Sequence, residues 1–468
     1  MSWLDADSDV RQCTRILDAF IPPTRRLSDA GGSAANTGRI SERFSNISGT
    51  SATFANSGAT LPKQTGNDSG EAQPDARGER TKSVIVSGVE WEALVHGAAS
   101  LEAHTAGGVE AHRVPAWARA QFEDPLFSLA EACPAGVIVR FETDSSFVTL
   151  TAAATTAALV GTEPTPVTLA VRQDGTEILA PLSAPSVIFF GADTQIVETQ
   201  LREPETIDIS TAGNGPVEIF LPHNARIRLI SLQATENITP AQAQGIRWTH
   251  YGSSISHGMN ALTATRTWPV AAAIRLGWNL QNLSYAGNAQ LDGFMARMIR
   301  DSPADLITLK VGINLINSDS MRERTFRPAV HAFLDTIREG QPTTPIVLIT
   351  AVACPIHEDS PGPVTRDPEG MARAANRTVE RDTGALTLSR TREILEQVTV
   401  SRDDDRLHLL DGRELFGIDD VDMLYDRLHP DQNGLDLIAQ RFADKACTLA
   451  EEWGSTLTTP APNSERPA

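Results

Sequence analysis

The chain has 468 residues, 41% of them hydrophobic, and 40 Lys+Arg against 59 Asp+Glu give it a formal charge of −19. That composition supplies sizeable apolar cores, and the acidity excludes binding to a phosphate backbone as the main task, so no nucleic-acid partner is expected. Cys13, Cys133, Cys354 and Cys447 are far apart with no Cys-x-x-Cys pair, which predicts neither a zinc site nor a disulfide framework and fits a reduced compartment.

The first residues carry Asp5, Asp7, Asp9 and Arg11 in place of a basic segment followed by an apolar stretch, so no secretory signal is expected. No run of about 18 apolar residues offers a transmembrane helix, and a soluble cytoplasmic protein is the expectation. Val10, Cys13, Leu17, Phe20 and Ile21 predict a short amphipathic helix that Pro22 and Pro23 stop. Residues 27–81 are rich in Ser, Gly, Asn, Thr and Ala, with too little apolar surface to offset ordering entropy. The segment 1–81 is therefore expected to be a largely disordered extension, and 456–468 a disordered tail.

From Ser83 the period changes to two. Val137–Thr143, Phe147–Thr151, Val167–Val171, Val187–Phe190, Thr206–Ile209, Val217–Leu221 and Ala225–Leu232 are short β-rich runs, separated by turn signals such as Asp174-Gly175 and Gly213-Asn214-Gly215. Such spacing predicts an all-β sandwich or barrel over 83–236, of which the sandwich is the expectation. Its role is open between carbohydrate binding, an oligomer contact, a wall for a neighbouring active site and a purely structural companion.

After a hinge at Ile238-Thr-Pro, strands alternate with helices. Ile246–Tyr251, Trp278–Tyr285, Leu306–Val311, Pro345–Thr350 and Leu407–Leu410 read as strands. Helices are expected from a capping Thr267 to Gly277, over Leu291–Arg300, through Phe326–Ile337 to Gly340, around Leu388–Val398, and from Leu435 to Trp453. The charged, proline-bearing stretch His357–Leu388 interrupts the pattern and is expected to be a lid or substrate wall. Five strands with crossover helices predict a parallel sheet covered on both faces over 245–455, with ligands at the strands' carboxyl ends.

Ser254 stands there, in the turn Gly252-Ser-Ser-Ile after the first strand, where a serine can expose its oxygen while its own N–H stays free. A serine nucleophile needs a base and a group to orient that base. Asp426-Arg-Leu-His429, before the last helix, offers both on one tight turn, although a loop histidine with a turn-capping aspartate would read the same. Gly287 after the second strand could bring a bare N–H to a substrate oxygen, and Asn314 after the third could bring a side-chain amide; a helix-entry turn and a cap are the simpler readings of each.

Gly252-Ser253-Ser254-Ile255, Gly287, Gly312-x-Asn314 and Asp426-x-x-His429 occur in the order of the four blocks of the SGNH hydrolases, the GDSL lipase/esterase family, and the chain resembles that family over about 245–455. The resemblance implies a flavodoxin-like three-layer α/β/α domain with a parallel sheet, preceded here by the β-sandwich. It implies Ser254 as nucleophile, His429 as base and Asp426 as its orienter, with Ser254 N–H, Gly287 N–H and the Asn314 amide as oxyanion hole, and no metal or organic cofactor. The family's usual Asp before the nucleophile is Ser253 here. Ser253 and Ser256 are rival nucleophiles by composition, and the motif register selects Ser254. His250 and His257 are expected to pack or to edge the substrate. The sandwich ahead of the hydrolase block also resembles two-domain bacterial members, among them carbohydrate esterases and acyltransferases.

The expected activity is a serine esterase acting on short-acyl esters of carbohydrates or metabolites. Acyl transfer to a small-molecule hydroxyl by the same residues is one alternative. A catalytically silent glycan- or partner-binding protein is the other.

Overall fold

The computed structural model describes residues 84–86, 88–191, 195–211, 213–377 and 383–453, and the expectations for 1–81 and 456–468 lie outside the described residues. All the described residues belong to one compact unit.

The N-terminal part is β-rich, with an eight-stranded and a six-stranded sheet. Phe147–Leu159 shows how sequence dictates this: after the exposed Phe147 its side chains alternate strictly between buried and half-exposed, placing Val148, Leu150, Ala152 and Ala154 on the inner face. These meet Val139 and Phe141 of Ile138–Thr143, Val171 of Thr168–Gln173 and Ile219 of Val217–Phe220 in one core, so the two sheets face each other. Two features differ from the sequence reading. Ile238–Pro240, expected as a hinge, pairs antiparallel with Thr143–Phe141 and ends the six-stranded sheet. A helix over Pro125–Ala132 interrupts the strands, with the Asp124 carboxylate accepting from Leu126 and Phe127 N–H and a proline at its first position.

The C-terminal part carries five parallel strands: β1 (Arg247–Gly252), β2 (Asn279–Ser284), β3 (Leu306–Lys310), β4 (Ile346–Ile349) and β5 (Leu407–Leu410), in the spatial order β2-β1-β3-β4-β5. This is the flavodoxin-like order, whose reversal next to β1 opens a crevice at the carboxyl ends. Every residue of β3 and β4 is buried, as a strand covered on both faces requires.

The helices are α1 (Ser254–His257), α2 (Trp268–Leu276), α3 (Gly293–Asp301), α4 (Ile313–Asn317), α5 (Glu323–Gly340), α6 (Leu388–Ser401) and α7 (Gln432–Trp453). One face of the sheet packs on α3, α5 and α6 through Met295, Phe333 and Leu395; the other packs on α2 and α7. On that second face Trp248 stacks on Phe442 at 4.8 Å, with Trp268 and Trp278 around them. Thr267 occupies the position before α2, but its hydroxyl turns back to the Ala264 carbonyl and does not cap the helix.

The β-rich part docks on both layers. Val114, Ala118, Phe127 and Ala130 share a core with Tyr285 and Phe294, while Ala170 and Phe220 join the Trp248 side.

Candidate active site

The turn after β1 is shaped by two glycines. A Cβ on Gly252 would sit 2.6 Å from Ser256 Oγ and 3.0 Å from His250 Nε2, so only glycine fits there. Gly258 closes α1 at φ +73°, the left-handed region, where a side chain would also strike Thr267. Between them the Ser253 carbonyl accepts from Ser256 and His257 N–H. Ser254 thus becomes the first residue of a single helical turn, where a backbone N–H lacks an intrahelical acceptor.

The loop before α7 is folded back on itself. Leu424 and Pro430 form an antiparallel bridge, Tyr425 N–H donates to the His429 carbonyl, and Arg427 takes φ +67° at the tip. Asp426 Oδ1 accepts from the N–H groups of Leu428 (3.0 Å) and His429 (2.6 Å), the local pattern that favours aspartate at such turns. This aims Oδ2 at His429 Nδ1, 2.8 Å away, and His429 Nε2 lies 2.9 Å from Ser254 Oγ. A carboxylate only accepts, so Nδ1 is the donor to Asp426 and Nε2 faces the Ser254 hydroxyl as an acceptor. All three residues are buried.

Burial by itself would raise the Asp426 carboxyl, but His429 and Arg366 outweigh it and hold the group well below the usual carboxylate range. Arg366 Nη1 donates to Asp426 Oδ2 at 3.0 Å. It comes from the stretch expected to be a lid, where Val364–Arg366 and Ala372–Ala374 form a hairpin whose Ala372 N–H donates to the Asp426 carbonyl. The hairpin therefore grips the loop that carries Asp426 and His429.

The other serines are placed differently. Ser256 Oγ accepts from Trp268 Nε1 at 3.1 Å, and Ser253 Oγ is buried with no hydrogen-bond partner. Both flanking histidines are buried. His250 Nδ1 meets Thr308 Oγ1 at 2.6 Å, and burial with Lys310 nearby pushes its pKa well down. His257 is likewise neutral, driven down by burial, Arg113 and His223; Nδ1 accepts from Ala286 N–H and Nε2 donates to the His223 carbonyl.

Gly287 and Asn314 follow β2 and β3, the two neighbours of β1. The register aligns Gly252 with Ser284 and Tyr251 with Leu309, so the three segments leave the sheet side by side. Gly287 is half-buried with φ +73°. Asn314 Oδ1 accepts from Ala289 N–H at 3.0 Å, which orients its amide nitrogen as the free donor end. Gly312, at φ +134°, makes the bend into α4.

Three residues at this site carry no sequence signal. Arg113, wholly buried, donates from Nη1 to the carbonyls of Asn282 (3.1 Å) and Ser284 (2.7 Å) and from Nη2 to Ala130 (2.6 Å). His223 donates from Nε2 to the Ala261 carbonyl at 3.0 Å, while its own carbonyl receives His257. Arg113 thus braces the segment leading to Gly287, and His223 braces both ends of the segment after Ser254. Arg366 is the third. Among the described residues no group of His, Cys, Asp and Glu could hold a metal ion, and no helix is long and apolar enough to cross a membrane.

The profile of the GDSL-like Lipase/Acylhydrolase family matches residues 250–437. Among solved structures, the salicylyl-acyltransferase SsfX3 from a tetracycline biosynthetic pathway is 26% identical, with TM-score 0.65, covering 79% of this chain and 98% of that one. That coverage exceeds the matched domain and extends into the β-rich part. A GDSL-like lipase from Bacteroides ovatus ATCC 8483, itself assigned only by likeness, is 18% identical with TM-score 0.53, covering 79% of this chain and 98% of that one, and shares the fold. No curated protein matched the sequence.

Proposed function

Residues 250–437 are a GDSL-like lipase/acylhydrolase domain, an SGNH-type ester-cleaving unit, and from that premise we propose that the chain is a serine esterase working through an acyl-Ser254 intermediate. The observation that carries this reading is the unbroken line Ser254 Oγ–His429 Nε2 and His429 Nδ1–Asp426 Oδ2, at 2.9 and 2.8 Å. In it His429 takes the Ser254 proton as Oγ attacks the ester carbonyl carbon. The new C–O bond places negative charge on the carbonyl oxygen, which the N–H groups of Ser254 and Gly287 and the Asn314 amide receive. Collapse breaks the bond to the alcohol, which leaves with the proton held by His429. Water then attacks the acyl-Ser254 ester with His429 again as base, releasing the acid and restoring Ser254. The substrates proposed are short-acyl esters of carbohydrates or metabolites.

A second reading, acyl transfer, draws support from the 26% likeness to an acyltransferase over both parts of the chain. Here a small-molecule hydroxyl replaces water in the second half, and a new ester replaces the acid.

The test is intact-protein mass spectrometry after fluorophosphonate treatment, with peptide mapping. One adduct on Ser254, lost in His429→Ala, is expected; an adduct elsewhere, or none on a folded protein, would overturn the reading. Adding an alcohol acceptor then separates the two fates, by whether a new ester forms faster than free acid.

A further inference from the structure

We propose that the cavity between the six-stranded sheet and α2 is a further ligand site, which takes a small organic carboxylate with an apolar body. The cavity holds about 260 Å³, close to the lower end of the ~300–1,000 Å³ range of small-molecule pockets. Its floor follows from strand periodicity. Val139, Phe141, Val171 and Ile219 turn into the core between the two sheets, so their neighbours in sequence turn the other way. The register then sets Arg140 and Arg172 on either side of Glu218, and Ile138 and Ala170 on either side of Phe220, as two adjacent rows. In the opposite wall Val270, Ala273, Ile274 and Gly277 recur at helical spacing along α2 and its end, and Trp278 follows. Asn279, also in the wall, pairs with Arg247 at the amino end of β1. At about 3.3 Å per residue along β1, that wall lies roughly 17 Å from the turn that carries Ser254.

Within these walls two guanidinium groups face one carboxylate. Glu218 is committed to Arg140, whose Nε (2.8 Å) and Nη2 (2.7 Å) both meet its Oε1. Arg172 comes no closer than 3.9 Å to Glu177, which stands outside the cavity and receives the Thr265 hydroxyl. The row therefore holds one cation in excess. His96, beside Arg140, does not add to it, since burial, and Arg140 after it, hold that imidazole below its ordinary value. Two buried donors also lack an acceptor among the described residues: Arg140 Nη1 and Trp278 Nε1, on residues that are 8% and 7% exposed. Buried donors are normally paired, so an acceptor is wanted here that the fold does not supply. A ligand carboxylate brings both a negative charge for Arg172 and acceptor oxygens for such donors. A phosphate dianion would exceed the single unmatched charge and gain nothing from Ile138, Phe220, Val270 and Ile274. Because the floor belongs to the β-rich part and the opposite wall to the ester-cleaving domain, an occupant touches both and fastens them together.

The test titrates the full chain, labelled with 15N, with phenylacetate, 4-methylpentanoate, inorganic phosphate and the uncharged isostere phenylacetamide, and follows the indole N–H signals by NMR. The Trp278 signal is the one missing from Trp278→Phe. It is expected to shift saturably with either carboxylate, with a dissociation constant in the millimolar range or below, and to need at least tenfold more phenylacetamide. Arg172 is half-exposed, so Arg172→Met should keep the fold and need at least tenfold more phenylacetate for the same shift. A Trp278 signal that stays in place with both carboxylates overturns the proposal. So do equal affinities for phenylacetate and phenylacetamide, tighter binding of phosphate than of phenylacetate, and an undiminished affinity in Arg172→Met. Should Arg172→Met not fold, Arg172→Gln decides in its place. The reading of the Ser254 site stands or falls separately, by phosphonate labelling.

Discussion

The Arg113 guanidinium lies 4.6 Å above the Tyr285 ring while its nitrogens hold the carbonyls of Asn282 and Ser284. A residue of the β-rich part therefore sets the exit of β2, three residues before Gly287. Removing it in Arg113→Met leaves buried carbonyls unpaired, at a cost of about 1–3 kcal/mol each. The expected result is a lowered Tm together with a kcat loss of roughly ten- to a hundredfold at little change in KM. Steady-state kinetics at a temperature where the variant is folded checks it; a loss confined to KM would place Arg113 in substrate binding instead.

Asn314→Ala removes a donor proposed to act only when charge has moved onto the substrate oxygen. The expected loss in kcat is about a hundred- to a thousandfold, with KM nearly constant. Because Asn314 Oδ1 also receives Ala289 N–H, Asn314→Asp is the sharper companion. It retains that acceptor, loses the donor and should be at least as inactive.

The serines of the turn after β1 separate by what their hydroxyls touch. Ser254→Ala should abolish phosphonate labelling and turnover with an unchanged Tm. Ser253→Ala removes a buried hydroxyl that has no hydrogen-bond partner, so stability is expected to hold or rise slightly and labelling to persist. Labelling of Ser254→Ala would point to a rival serine.

His223 gives the fold a pH dependence of its own. Burial pushes its pKa down to about 4, partly offset by its bond to the Ala261 carbonyl, so it is neutral in the folded chain. The unfolded chain takes up this proton below about 6.5. Between these values the unfolded state binds more protons, and stability falls as the pH is lowered. The loss from this one group amounts to about 3 kcal/mol by pH 4. His250 and His257, also held down by burial, add in the same direction. Asp426 has the opposite charge but the same slope, since its folded value is depressed and its contribution disappears only below the ordinary carboxylate range. Urea unfolding between pH 7 and 4 should show the decline, and His223→Gln should flatten it.

Local pattern made much of this legible in the chain. β1 to β5 announce themselves by apolar runs between helix signals, and the Asp426–His429 turn is built from residues three apart, so its order of oxygen, ring nitrogen and loop N–H is nearly a local affair. Asp124-Pro125 was an unused helix-start signal inside the β-rich part. The hinge assigned to Ile238-Thr-Pro shows the opposite failure, because proline fits the last strand at a sheet edge as well as it fits a linker. Arg113, His223 and Arg366 were not legible at all. Their partners lie far along the chain, and neither an arginine after a short strand nor a histidine after Pro222 differs in sequence from a surface residue.

The Arg113 brace bears on how the chain is made. Its guanidinium leaves the ribosome about 170 residues before the β2 carbonyls that receive it. A recombination joint near residue 240 would hand the C-terminal half a foreign β-rich part that lacks Arg113 and His223, the side chains that hold its loops.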